Sequence, residues 1–151
     1  FQGMILKARH AAASTFVDAV LKSAAIRKAN NGSYPSNWTE IMEYAGQVGS
    51  SAGSLETCEK YGSQCNGNER AIVQGQYIVA YWSESDRFGV SVSRFNNIGP
   101  TSKNMHVMGC LTNNKGSGMY LFKEGSYYQG KPWNRNIIDN DGNELDLCGT
   151  N

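Results

Sequence analysis

The stretch that decides the fold is ILKARHAAASTFVDAVLKSAAIRKAN, from Ile5 to Asn30, followed by Asn31-Gly32. It contains neither Pro nor Gly and is rich in alanine, the residue with the highest helix propensity. Asn and Gly tolerate positive φ and commonly end helices. The stretch therefore predicts a single helix of about 25 residues within 4–31, about 40 Å long.

Apolar residues cover more than one stripe of this helix. One side carries the candidate assembly residues Ile5, Ala8, Ala12, Phe16 and Ala19, and a neighbouring arc carries Leu6, Ala13, Val17, Val20, Leu21, Ala24 and Ala25. Since one apolar stripe is enough to pack on a core, we expect the remaining apolar surface to pack against copies of the same chain. Five cations against Asp18 give the segment a net charge of +4. A core helix with a solvated basic face is the alternative.

The chain changes in character after Gly32. Residues 32–70 are interpreted as a loop region with one short helix from Trp38 to Ala45, capped by Asn37. Beyond it, apolar runs predict strands at 71–82, 88–95, 105–111 and 119–123, with Tyr127-Tyr128 completing a hairpin. Gly116-Ser117-Gly118 is interpreted as a turn, because it is too short for a phosphate-binding loop and leads into a strand pattern.

Sequential strands joined by short turns form antiparallel sheets. The predicted class is α+β, with a long N-terminal helix packed on an antiparallel meander over 71–128 and a C-terminal loop region at 129–151. The sequence shows no repeat and no linker, which favours one domain over 4–151. Phe1, Gln2 and Gly3 resemble the remnant of a protease-cleavable tag and are left out of this prediction.

The four cysteines allow three disulfide pairings. Their unequal spacing favours Cys58 with Cys65, within one polar loop, and Cys110 with Cys148, which would tie the C-terminal region to the sheet. The sequence contains neither a Cys-x-x-Cys redox pair nor a zinc-ligand spacing. Disulfides indicate an oxidising compartment. The alternative is four free thiols in a cytosolic protein.

The sequence offers few candidate residues for catalysis or for metal binding. His10 and His106 have no nucleophile motif beside them, so we expect no enzyme and no resident cofactor. The acidic C-terminal stretch offers Asp139, Asp141 and Asp146 as candidate Ca²⁺ ligands, although it lacks the EF-hand register. An Asp-Gly turn in a solvated loop is the alternative.

Charge and hydropathy narrow the classes of partner. The chain has 151 residues, 14 Lys and Arg against 13 Asp and Glu, and a net charge of +1. This balance speaks against direct nucleic-acid binding, which rests on concentrated cations. No apolar run approaches the roughly 18 residues of a membrane helix, and no signal-peptide pattern is present, so the chain as given is expected to be soluble.

The alanine-rich helix, its Asn-Asn-Gly-Ser-Tyr-Pro exit at residues 30–35, the predicted antiparallel sheet and the late Cys148 together resemble the type IV pilins and the pseudopilins of type II secretion. The helix and its exit carry the likeness at the level of sequence. The resemblance implies a helix that continues N-terminally into a hydrophobic segment, whose start in the family is processed by a peptidase and methylated. Phe1 is not that start, because the family's Glu four residues later is missing.

The resemblance implies a structural subunit of a bacterial type IV pilus that polymerises through its N-terminal helix and serves adhesion, motility or DNA uptake. Its implied partners are other copies, related minor pilins and the inner-membrane assembly machinery. Its implied location is the inner membrane before assembly and the extracellular pilus afterwards. A minor pilin or pseudopilin is one alternative. A stand-alone secreted binding module is another, with an aromatic ligand surface formed by Trp38, Trp82, Trp133 and Tyr127-Tyr128.

Overall fold

The structure is a computed structural model that describes residues 2–44, 55–62, 65–72, 76–94, 105–113, 116–122, 131–133, 138, 141–144 and 147. In chain order, the elements are helices α1 (Gln2–Asn31) and α2 (Trp38–Met42), a 3-10 turn (Cys58–Tyr61), and strands β1 (Glu69–Ile72), β2 (Tyr77–Ser83), β3 (Arg87–Arg94), β4 (Met105–Thr112) and β5 (Gly116–Leu121). The predicted α+β class is confirmed, with the N-terminal helix packed on an antiparallel sheet.

Helix α1 is longer than predicted, at 30 residues. It ends at Asn31 as expected, and Gly32 follows with a φ of +83° while its N–H donates to the carbonyl of Lys28 at 2.9 Å. Gln2 and Gly3, which were left out of the prediction, belong to the helix, since neither interrupts its hydrogen bonding. Glycine costs helix stability without forbidding the helix.

Helix α2 confirms the predicted cap but is shorter than predicted. The Asn37 side chain accepts a hydrogen bond from the backbone N–H of Glu40 at 2.8 Å, which satisfies one of the free donors at the start of the helix. The helix ends at Met42, and Glu43 and Tyr44 continue as a turn. Helix α2 is therefore a short helix that packs beside α1.

The sheet is a meander in the order β1-β2-β3-β4-β5, with every neighbouring pair antiparallel. The predicted single strand over 71–82 is wrong, because this run divides into β1 and β2, which pair with each other. The polar Gln74-Gly75-Gln76 in the middle of the run was the overlooked break. The run over 71–82 thus contributes two strands to the sheet in place of the one predicted.

The interpretation of Gly116-Ser117-Gly118 as a turn is also wrong, because these residues lie in β5 and pair with β4. Position 118 requires glycine because the backbone at Leu147 passes close to it. A Cβ at this position would lie 2.9 Å from the backbone oxygen of Leu147. Glycine in a strand interior often marks such an approach and not a turn.

Helix α1 crosses the sheet over β3 and β4. The closest approach is at Gly109, where a Cβ would lie 2.5 Å from Cγ1 of Val17 and 3.0 Å from Cδ1 of Leu21. The main core lies between this helix face and the sheet, and its fully buried strand residues are Val79, Phe88, Val90, Val92 and Val107. Because Gly109 has no side chain, α1 can lie this close to β4.

The opposite face of the sheet is covered in part by the 3-10 turn and by Pro132 and Trp133. Pro132 and Trp133 lie against Gly89, where a Cβ would be 2.4 Å from Cγ of Pro132. The Cys58–Cys65 disulfide, with a Cα–Cα distance of 5.3 Å, packs over Ala71 and confirms the first predicted pairing. Cys110 is also disulfide-bonded. Its predicted partner, Cys148, lies outside the described residues.

Candidate assembly surface on helix α1

The two ends of α1 differ in burial. We call residues 7–12 the front segment and residues 13–28 the rear segment. Among the helix side chains that the structure describes, the first buried one is Ala13. In the front segment, Ala8 and Ala12 are exposed, and the side chain of Arg9 lies outside the description. The front segment therefore presents small apolar residues to solvent.

The predicted assembly residues do not share one environment. Ala8 and Ala12 are exposed, whereas Phe16 and Ala19 are each only 4% exposed. The side chain of Ile5 lies outside the described part of the structure. Phe16 and Ala19 are thus corrected from candidate contact residues to buried residues of the domain, and Ala8 and Ala12 remain available to another molecule.

Helix α2 accounts for the burial of Phe16. The ring of Phe16 lies 6.3 Å from that of Trp38, and Trp38 meets Tyr81 edge to face at 5.3 Å. Aromatic pairs at such distances stabilise cores beyond their buried area. Because α2 lies along the rear segment, a residue one turn away from the exposed Ala12 becomes part of the core.

Polar contacts also join the rear segment to α2. The Arg27 guanidinium lies 2.5 Å from a carboxylate oxygen of Glu40 and 2.7 Å from one of Glu43, and its side chain is only 16% exposed. The Ser23 hydroxyl donates to the carbonyl of Ile41. Sequence reasoning missed this bridge, although the Glu40-x-x-Glu43 spacing on one helix side was its only available signal.

The end of the rear segment is tied to the turns of the sheet. The Lys28 ammonium donates to the carbonyl of Ser85 at 3.2 Å and lies 5.1 Å from the centre of the Tyr34 ring. The Tyr34 hydroxyl donates to Oδ1 of Asn113 at 2.7 Å. Burial, with a smaller contribution from Asp86, raises the pKa of Tyr34.

The exposed side of α1 carries little chemistry of its own. The Thr15 hydroxyl donates to the carbonyl of Ala11 at 2.9 Å, and Asp18 and Lys22 form an exposed ion pair at 2.8 Å. Small side chains let two backbones approach closely, as in tightly packed helix pairs.

Exposed apolar residues also lie on the edge strand β5. Met119 is directly opposite Gly109, and Leu121 is opposite Val107, so both lie on the face of the sheet that carries α1. Their exposed fractions are 37% and 45%. Large apolar side chains left in water beside a helix are typical of a protein contact surface.

Of the predicted aromatic ligand surface, the structure describes the three tryptophans. Trp38 and Trp133 are buried, and Trp82 is partly buried. The guanidinium of Arg87 lies 4.7 Å from the centre of the Trp133 ring, which further covers that residue. Tyr127 and Tyr128 lie outside the described residues.

The structure describes the remaining candidates for chemistry only in part. His10 on α1 is partly buried, and the side chain of His106 lies outside the description. Asp141 is exposed, while Asp139 and Asp146 are not among the described residues. Within the described ranges, no three His, Cys, Asp or Glu residues are grouped to hold a metal ion. Among the described helices, none has the length and hydropathy needed to cross a membrane.

Comparisons of this chain with protein-family models, with curated proteins and with solved structures find no match in any of the three. The functional inference therefore rests on the contacts and exposures described above.

Proposed function

We propose that this chain is the globular domain of a type IV pilin-like filament subunit, which polymerises through its N-terminal helix and performs no catalysis. The observation that carries the proposal is the division of α1 into a rear segment buried against the sheet and α2, and a front segment with exposed Ala8 and Ala12. The rear segment holds the helix in its own domain, while the exposed front segment is free to pack against a helix of the neighbouring subunit.

A filament also requires a second, different surface on each subunit, because only contacts between unlike surfaces propagate without closing. Met119 and Leu121 supply exposed apolar area on the same side of the sheet as α1. We propose that this edge of the domain belongs to the contact with the next subunit. Under this proposal, the partners are other copies and related minor pilins.

The proposal includes an inner-membrane stage, through an apolar segment that precedes Met4 in the natural gene product, and an extracellular filament stage. A minor pilin or a pseudopilin satisfies the same geometry. The secreted binding module is less well supported, because two of its three tryptophans are buried in the domain.

The decisive experiment uses the protein with its natural N-terminus in its own cell. The gene should encode about 20 apolar residues before the helix, and Ala12→Asp should reduce the yield of sheared surface filaments by tenfold or more. Thr39→Asp is the matched control, because Thr39 is also exposed but lies on α2. The proposal fails if the gene encodes no apolar extension, or if the two variants assemble equally well.

A further inference from the structure

Residues 55–62, which we call the strap, lie along the edge of β1 that faces away from β2. The contact is a single antiparallel bridge between Glu56 and Ala71. The N–H of Glu56 donates to the carbonyl of Ala71 at 2.9 Å, and the N–H of Ala71 donates to the carbonyl of Glu56 at 2.7 Å. The strap thus covers backbone groups of an edge strand that is only four residues long.

The strap also makes apolar contacts, because Leu55 packs against the main core and Tyr61 packs beside Cys58, Ala71 and Ile78. Lys60 and Tyr61 both bind the carboxylate of Glu56, but these groups belong to the strap itself. The Glu56–Lys60 pair is exposed on the lysine side, and such pairs contribute little to stability. The bridge, its two backbone hydrogen bonds and these apolar contacts must offset the ordering of eight residues, which costs about 1–2 kcal/mol for each residue.

The disulfide supplies the missing constraint. Cys58 lies within the strap and is fully buried with Ala71 and Ile78. Its partner, Cys65, lies beyond the strap and is followed by Asn66, whose backbone and side-chain N–H groups both donate to the Glu69 carboxylate at 3.2 Å. The covalent bond therefore connects the strap to Cys65, the neighbour in the chain of Asn66, which is anchored at the start of β1.

We propose that the Cys58–Cys65 disulfide is the clasp of this strap, and that a thiol reductant opens the strap and uncovers the edge of β1 while the rest of the sheet stays folded. A reductant thiolate attacks the sulfur of Cys65, which is partly exposed, and Cys58 leaves as a thiolate and takes up a proton. A second reductant thiol then displaces Cys65. Two cysteine thiols form, and two reductant thiols are oxidised to one disulfide.

Opening the strap changes what the sheet offers to other molecules. The N–H and C=O of Ala71 lose their partners in Glu56 and face solvent. Unpaired groups along an edge strand are a template for pairing with another extended chain. Leu55 is the strap residue that packs against the main core, whose buried residues lie between α1 and the other face of the sheet. This inference does not depend on the proposed filament function.

Amide hydrogen exchange followed by NMR tests the proposal on the whole chain. The double variant Cys58→Ala/Cys65→Ala removes the clasp and leaves the bond of Cys110 in place. The amides of Glu56 and Ala71 should exchange on the order of 50-fold faster than in the oxidised protein, because closing an eight-residue loop removes that much freedom from the open state. Dithiothreitol should reproduce this increase in the unmodified protein.

The controls separate strap opening from unfolding. Amides of β3 and β4 should keep their protection in the variant, and dithiothreitol should cause no further change at Ala71 of the variant. The proposal is overturned if Glu56 and Ala71 stay protected without the clasp. It is equally overturned if β3 and β4 lose protection by the same factor, because the disulfide would then stabilise the whole domain and not the strap.

Discussion

The front and rear segments of α1 have similar, alanine-rich sequences but different environments. Ala12 in the front segment is exposed, while Ala13 and Phe16, one and four residues later, are buried. The rear segment is covered on two sides, by the sheet at Gly109 and by Trp38 of α2. The difference teaches that helical spacing selects the candidates for burial, and that the elements laid against the helix decide which of them are buried.

The strongest test of this comparison places the same charge in each segment. Ala19→Asp should lower the free energy of unfolding by about 3 kcal/mol or more, because it buries a carboxylate without a partner. Ala12→Asp should change it by less than about 0.5 kcal/mol. Urea denaturation followed by circular dichroism measures both values. Equal losses at the two positions would contradict the division of α1 into an exposed and a buried part.

A smaller effect is expected at the point where α1 docks on the sheet. Gly109→Ala should destabilise the domain by about 1–3 kcal/mol, because its Cβ would meet Val17 and Leu21. Gly67→Ala is the matched control, since a Cβ at Gly67 has no atom within 4 Å. Thermal unfolding compares the two variants. If Gly109→Ala is as stable as the control, α1 does not lie as close to β4 as described.

The ion pairs of α1 provide a third comparison. Arg27→Ala should cost about 1–2 kcal/mol, since the guanidinium is largely buried between two carboxylates. Lys22→Ala removes an exposed ion pair and should cost less than about 0.5 kcal/mol. A double-mutant cycle with Glu40→Gln should show coupling for Arg27. Additive effects in that cycle would mean that the bridge to α2 does not hold the rear segment.

The smallest effect concerns Glu84, beside the Ser85 carbonyl that holds the rear segment through Lys28. Hydrogen bonds, first from Lys131 and then from Arg87, lower the pKa of Glu84. The resulting stability is present above the unfolded-state pKa, about 4.3, and is lost as the pH falls through the lower folded value. Glu84→Gln should therefore be less stable by under about 1 kcal/mol at pH 7, with the difference vanishing in acid.

Glu69 serves as a control, because its pKa is shifted in the direction opposite to that of Glu84. Burial, only partly offset by hydrogen bonds from Asn66, raises the pKa of Glu69, so its ionised form is unfavourable in the folded state. The stability that Glu69 contributes is greatest below its unfolded-state pKa and falls as the pH rises through the folded value. Glu69→Gln should then be neutral in acid and stabilising at pH 7 in urea titrations. The same pH trend in both variants would contradict the assigned environments.

Local signals in the sequence predicted the elements that depend on neighbouring residues. The end of α1 at Asn31-Gly32, the Asn37 cap and the Cys58–Cys65 bond each involve residues within a few positions of one another. The meander order also followed from the short connections between strands. In each of these cases, the physical cause lies within one short stretch of chain, so one sequence contains it.

Contacts between distant segments could not be predicted in this way. The sequence determined that α1 is a helix with a broad apolar arc, but only the tertiary structure decided that Phe16 packs on Trp38 while Ala12 faces solvent. It also decided that Gly118 belongs to a strand under the Leu147 carbonyl, and that Glu56 covers Ala71. The reason is physical: periodicity fixes which side chains share a helix or strand face, while burial depends on what the rest of the chain lays against that face.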